Sequence, residues 1–187
     1  MRITGGKVRG RLLAAVKGYA IRPTSDRVRE AIFDLVGHQW DGKRVLDLFA
    51  GTGSLGLEAL SRGASEVLFV DYSSHALKLL RKNIERCGFA QCSKIMRRDL
   101  RRAPPGTYPF GKDSFHLVFM DPPYRQNLIP PAAGRLVRFL HLSSGALLVA
   151  ECSKNEILPS SMNPFVMSDA RTYGDTKITI YTYEVSE

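Results

Sequence analysis

Gly51, Gly53 and Gly56 stand between an apolar run, Val45-Leu46-Asp47-Leu48-Phe49, and a stretch of helical character from about Ser54 to Ser61. A strand that enters a glycine turn and leaves as a helix opens an α/β unit. The first two glycines let the backbone turn tightly and approach a ligand, and the third lets the helix pack close to the strand. Asp71 closes the next apolar run, Glu66 to Val70, 20 residues beyond Gly51. An acid at that spacing is placed to accept bonds from ribose hydroxyls.

The rest of the chain keeps the alternation. Before the turn, Val28, Ala31, Ile32, Leu35 and Val36 make one helical stripe, with Thr24 or Ser25 as its cap and Gly37 as its end. After Asp71, Ser73 or Ser74 caps a helix carrying Leu77, Leu80, Ile84 and Cys87 on one face. A short strand at 94–97, a Pro- and Gly-rich loop at 103–113 and a strand at 115–120 follow. A helix with Ala133, Leu136, Val137 and Leu140 inward and a buried strand at 146–150 come next. The last two strands, around 165–167 and 178–183, have no helix between them. Repeated strand–helix units predict a mostly parallel sheet with helices on both faces, and the final pair predicts an antiparallel edge. Ligands in such a sheet sit at the carboxyl ends of the strands.

Composition narrows the setting. The 187 residues allow one domain with a substantial core, and no apolar run is long enough to span a membrane. The amino-terminal residues lack the apolar core of a signal peptide, and Cys87, Cys92 and Cys152 form no Cys-x-x-Cys pair. Both features suit thiols in a reducing cytoplasm. The scattered histidines show no metal-ligand spacing, so no metal is expected. Lysine and arginine exceed acids by nine, and residues 1–30 hold eight of the basic side chains against two acids. A basic β-hairpin or irregular arm, residues 1–22, ahead of a balanced body, residues 23–187, suggests a polyanion partner.

Two features separate this glycine turn from that of a nicotinamide dinucleotide fold. Asp47 sits inside the first strand, where it would repel a pyrophosphate and attract an ammonium group. The strand 115–120 ends in Asp121-Pro122-Pro123-Tyr124. The prolines fix φ and carry no N–H, Asp121 adds an acceptor, and Tyr124 adds a flat face. Acceptors beside a ring suit a planar base with an exocyclic amine. The same string also suits a tight strand exit with an exposed tyrosine. Likewise Asp47 suits a buried acid bonded to backbone amides, and Asp71 a helix cap. Asp99, in Arg97-Arg98-Asp99-Leu100, suits either an acceptor for an adenine amine or a turn.

The block from Val45 to Leu60 resembles the S-adenosylmethionine motif of class I methyltransferases, and Asp-Pro-Pro-Tyr resembles the catalytic motif of those that methylate exocyclic amines. With Gly5-Gly6-Lys7-Val8-Arg9-Gly10-Arg11, Arg22-Pro23-Thr24-Ser25-Asp26-Arg27-Val28-Arg29-Glu30 and Phe49 to Gly63, nearly the whole chain resembles the RsmD family. That resemblance implies a Rossmann-like fold with a seven-stranded sheet. It implies S-adenosylmethionine as cofactor, held by Asp47, Phe49, Gly51, Gly53, Gly56, Asp71 and Asp99. It also implies methylation of guanine N2 in small-subunit (16S) ribosomal RNA, on free RNA or on the ribosomal particle. A monomer is expected. The catalytic set is then Asp121, Pro122, Pro123 and Tyr124, with Lys7, Arg9, Arg11 and Arg22 on RNA phosphates. Arg22 and Thr24 have a second reading, as contacts to the cofactor carboxylate. The same chemistry on DNA adenine N6 or another amine or amide is the alternative. A non-catalytic RNA-binding module is a third reading, opposed by the intact motifs.

Overall fold

The computed structural model describes residues 1–15, 25–102, 114–124, 126–139 and 141–184. Among these residues eight strands form one sheet in the order β3-β2-β1-β4-β5-β8-β7-β6. They are β1 (Arg44–Leu48), β2 (Glu66–Asp71), β3 (Ser93–Arg97), β4 (Phe115–Met120), β5 (Leu142–Ser153), β6 (Ser161–Met162), β7 (Phe165–Tyr173) and β8 (Thr176–Tyr183). Strands β1 to β5 run parallel, and β8 pairs antiparallel with both β5 and β7. The expected strands are all present. The two-residue β6 at the far edge adds an eighth, too short to carry a pattern in the sequence.

Among the described residues four α-helices cover the sheet: α1 (Asp26–Val36), α2 (Ser54–Ser61), α3 (Ser74–Cys87) and α4 (Ile129–Phe139). Alternate strand residues point to opposite faces, and this sorts the core in two. Val45, Val67, Phe69, Leu117, Phe119, Val149 and Ile178 pack with α1, α2 and α3. Leu46, Leu48, Val70, Val118, Met120 and Leu148 pack with α4. Right-handed crossovers explain the division. The chain moves from β1 through β2 to β3 in one direction and from β4 to β5 in the other, so the connecting helices fall on opposite faces.

Helix α1 is capped by Ser25, whose hydroxyl accepts from the Val28 N–H, and it ends at Gly37. Its buried face is Val28, Arg29, Ile32 and Phe33. Arg29 therefore does not belong to the exposed basic charge of the chain start, where composition placed it. It lies fully enclosed. Leu140 of the expected α4 stripe lies outside the described residues; the rest of that helix buries Ile129, Ala132, Ala133 and Leu136. Among the described residues no helix is long and apolar enough to cross a membrane.

Residues 1–13 fold back on themselves. Arg2 bridges Leu12, the Ile3 N–H donates to the Arg11 carbonyl at 3.0 Å, and the Gly10 N–H donates to the Ile3 carbonyl at 2.8 Å. Glu58, fully buried on α2, holds this hairpin. Its carboxylate accepts from the Thr4 N–H (2.8 Å), the Thr4 hydroxyl (2.9 Å) and the Gly5 N–H (2.7 Å). Arg29 Nε and Arg62 Nε donate to it from the other side, at 3.2 and 2.9 Å. At the end of α2 the Ser61 carbonyl accepts from the Lys7 N–H at 2.6 Å. The approach is so close that a Cβ on Gly6 would lie 1.8 Å from that carbonyl oxygen.

Candidate active site

The chain leaves β1 toward β2 on one side and returns to β4 on the other, which opens a crevice at the carboxyl ends of β1 and β4. The glycine turn lies there. Gly53 has φ +81°, and a Cβ on it would meet Leu80 Cδ1 at 2.3 Å, so the turn closes only around glycine. A Cβ on Gly56 would meet Phe69 Cε1 at 2.3 Å, the close helix–strand packing expected of the third glycine. Phe49 itself has φ +60°, a costly conformation for an aromatic residue, held where the strand gives way to the turn.

Asp47 Oδ2 accepts from the Gly56 N–H at 3.0 Å. Helix α2 starts at Gly53, which has no side chain to cap it. Asp47 supplies the missing cap from the neighbouring strand and satisfies a donor of the first turn. Burial pushes its carboxyl up to about 8, against the effect of the Gly56 N–H and with help from the nearby Asp71 charge. A cation brought beside it would relieve that cost. Asp71 binds backbone with both oxygens: Oδ2 accepts from the Gly51 N–H and Oδ1 from the Ser73 N–H, each at 2.8 Å. It thereby ties the turn to the start of α3, and each oxygen retains acceptor capacity for a hydroxyl. Both acids are set in the backbone, and both also face the crevice end of the sheet. The two readings of each acid are compatible.

Asp99 is arranged differently. Arg101 grips it with Nε on Oδ1 and Nη2 on Oδ2, both at 2.8 Å, and holds its carboxyl down at about 2. The Arg101 guanidinium also lies over the Tyr72 ring, 4.4 Å from its centre. An adenine amine at Asp99 would have to share the carboxylate with this fork.

Asp121 and Tyr124 are half-buried, Pro122 is buried and Pro123 is exposed. In β4, Met120 is level with Leu48 of β1 and with Ala150 of β5. Asp121 therefore leaves the sheet between the glycine turn and Glu151. The motif is not sealed in the interior; it borders the crevice. The Tyr124 hydroxyl donates to Glu151 Oε1 at 2.9 Å and lies 3.1 Å from Thr176 Oγ1. Burial, with the Glu151 charge behind it, pushes this phenol well above its ordinary range.

The basic residues fall elsewhere. Lys7, Arg9 and Arg11 are exposed at the hairpin tip and line an open groove with Arg86 of α3. Helix α2 starts at the glycine turn and ends at Ser61, where the hairpin tip is bound. Its eight residues span about 12 Å. The groove is thus displaced from the crevice along α2, toward the amino ends of the strands. Arg22 and Thr24 lie outside the described residues. Glu58, Arg62, Asn83 and Glu151 belong to no site that the sequence alone singles out. Asn83, buried in α3, donates to the Thr52 and Ala14 carbonyls at 3.0 Å and accepts from the Ala14 N–H at 2.7 Å, so it joins the hairpin to the glycine turn. Its signal is a polar residue on an otherwise apolar helical face. No cluster of metal-ligating side chains occurs among the described residues.

The profile of the family described as conserved hypothetical protein 95 matches residues 1–182. A Bacillus subtilis protein named "Putative rRNA methyltransferase YlbH" is 36% identical over 181 residues, covering 97% of this chain and 98% of its own. The ribosomal RNA small subunit methyltransferase D of Haemophilus influenzae is 33% identical over 174 residues, 92% of this chain and 89% of its own. Among solved structures, "Putative methyltransferase yhhF" from Escherichia coli matches with a TM-score of 0.84 at 30% identity, covering 100% of this chain and 99% of that one. The crevice, its glycine turn, the Asp-Pro-Pro-Tyr exit and these likenesses together place the chain in the conserved hypothetical protein 95 family, the RsmD family of class I methyltransferases.

Proposed function

We propose that the protein transfers a methyl group from S-adenosylmethionine to the exocyclic N2 of a guanine in small-subunit ribosomal RNA. The observation that carries this reading is the position of Asp121 at the tip of β4, bordering a crevice whose other wall is the Gly51–Gly56 turn. The donor set suits the cofactor. Asp71 offers acceptors for hydroxyls, and Asp47 is a buried acid whose raised carboxyl a neighbouring ammonium would bring back toward ionisation. Phe49, Gly51, Gly53 and Gly56 shape the wall between them, and Asp99 joins them if Arg101 yields an oxygen.

When bound, S-adenosylmethionine supplies an activated methyl on a sulfonium, so the protein needs neither a metal nor a covalent nucleophile. The task left to the protein is the amine. The N2 lone pair of guanine is delocalised into the ring, and attack requires the nitrogen to become more tetrahedral. The Asp121 carboxylate and the Pro122 carbonyl accept its N–H bonds, favour that change and take up part of the developing positive charge. Nitrogen would gain the methyl as the methyl–sulfur bond breaks, sulfur keeping the bond pair as a neutral thioether, and nitrogen would shed one proton, which passes by way of the Asp121 carboxylate to water. Tyr124 holds the base in place, and Pro123 stiffens the ledge. The base leaves its stack to reach the crevice. Lys7, Arg9 and Arg11 bind phosphates away from the target nucleotide and give affinity without base choice; Arg22, outside the described residues, takes a phosphate by its sequence reading alone.

Labelled cofactor offered with free ribosomal RNA, ribosomal particles and DNA tests the proposal, with the product nucleoside identified after digestion. N2-methylguanosine from small-subunit RNA is the expected product. Label confined to DNA, or to another base, removes the reading in favour of the alternative amine substrate.

A further inference from the structure

We propose that Glu151 and Thr176 are positioning residues for the reaction: they brace the Tyr124 ring through its hydroxyl, from the antiparallel part of the sheet. The inference rests on the reading of Tyr124 as the ring that holds the base, and it accounts for something that reading leaves over. A ring used only as a flat face needs no hydroxyl. Here the hydroxyl has two partners, at 2.9 Å (Glu151 Oε1) and 3.1 Å (Thr176 Oγ1).

The backbone explains why these residues meet. Pro122 and Pro123 fix the path of the chain out of β4, but they leave the Tyr124 side chain free to turn about its own torsions. Its far end must therefore be held by something else. Ala150 of β5 is level with Met120, so Glu151 lies at the height where Asp121 leaves the sheet. Ser153 of β5 is opposite Thr176 of β8. Glu151, two residues before Ser153, is then the diagonal neighbour of Thr176 on the same face, the one that also carries Asp47 and Asp71. The turn at Gly174 and Asp175 sets this height by starting β8 at Thr176. Glu151 and Thr176 are 4% and 5% exposed, so they form a back wall and not a contact surface. A hydroxyl donating to a buried carboxylate makes a charge-assisted bond. Losing the bond would let the ring swing while leaving its stacking face intact.

The test is a kinetic cycle on the full chain with ribosomal substrate, using Y124F, E151A, E151Q, T176V, Y124A and the double variant Y124F/E151A. Turnover, KM for RNA, cofactor affinity and thermal midpoint are measured for each. Y124F and E151A should each lower kcat by about ten-fold or more, the cost of a misplaced group, with cofactor affinity unchanged. E151Q retains an oxygen acceptor and should recover most of the loss. The double variant should be no slower than either single one, since both remove the same bond. A full further loss from E151A in the Y124F background would overturn the brace, because Glu151 would then act without the hydroxyl. So would a Y124F enzyme of undiminished kcat. Undiminished kcat in Y124A would instead sink the base-holding role itself. If E151A does not fold, T176V, which keeps the side-chain shape, carries the same comparison.

Discussion

Arg29 Nε meets Glu58 Oε2 at 3.2 Å with both side chains wholly enclosed. Taking two charges out of water is costly, and the geometry offsets that cost only because the remaining valences are filled. Glu58 also receives Thr4, Gly5 and Arg62, and Arg29 Nη2 also donates to Asp26 at 2.8 Å and to the Arg2 carbonyl. Glu58→Ala would leave Arg29 buried without this partner. It should lower stability by about 3–5 kcal/mol, read from urea unfolding. The hairpin loses its anchor in the same step, so residues 1–13 should become sensitive to brief proteolysis while the sheet still resists it. Equal protection of the hairpin in variant and parent would show that Glu58 is not what holds it.

Asp47 gives a pH signature. Its carboxyl is raised by burial from 3.8 to about 8, so the folded protein holds a proton that the unfolded chain releases. Stability contributed this way is intact below the unfolded value and falls as pH rises from about 4 to about 8, by at most about 1.4 kcal/mol per pH unit. Asp47→Asn retains an oxygen for the Gly56 N–H and does not titrate. Denaturation of the two proteins between about pH 5 and 8 should therefore give curves that diverge, the parent losing stability relative to the variant as pH rises. Parallel curves would mean that Asp47 is ionised throughout.

How much of the molecule is legible in the sequence follows from range. The glycine turn is a local device: strand, turn and helix are consecutive, and the contact of Gly56 with Phe69 is a standard consequence of that order. Asp47, Asp71 and Asp121 announce themselves as acids in or at the ends of apolar runs. Glu151 has the same signature after Ala146–Ala150, but its partner Tyr124 is 27 residues away across a register that no pattern specifies. Glu58 lies in a helix whose every residue is buried, a placement that demands a cation, yet nothing local names Arg29. The basic arm is legible as charge. Its docking at the far end of α2 is not, since that depends on the Ser61 hydroxyl reaching the Gly5 carbonyl, 56 positions away along the chain. At Asp99 the acid is plain in the sequence, but the grip of Arg101 on both of its oxygens depends on the shape of the turn between them.

The groove at Lys7, Arg9, Arg11 and Arg86 should bind backbone phosphates through charge, irrespective of base. Arg9→Ala with Arg11→Ala should weaken RNA binding about equally for all sequences. The pair should also flatten the dependence of log affinity on log salt by about 0.7 to 0.9 for each phosphate no longer neutralised. Cofactor affinity should not change, because the groove is displaced from the glycine turn along α2. Filter binding across a salt series, with calorimetry for the cofactor, reads both. An unaltered slope would place the RNA elsewhere on the molecule.

Asp121 and Asp71 should divide binding from chemistry. Asp71 ties Gly51 to Ser73 beside the crevice, so Asp71→Ala should weaken cofactor binding and leave RNA affinity as it was. Asp121 follows β4, outside those bonds, and its proposed work is done on the amine during transfer. Asp121→Ala should therefore keep both affinities and cut single-turnover transfer by about 10²-fold or more, as for other acceptors or donors aimed at developing charge. Single-turnover rates matter here because they separate the methyl step from product release. Near-parent transfer by Asp121→Ala would mean that the amine is activated by the Pro122 carbonyl and by positioning alone. Loss of cofactor binding in the same variant would make Asp121 part of the cofactor wall and not of the acceptor ledge.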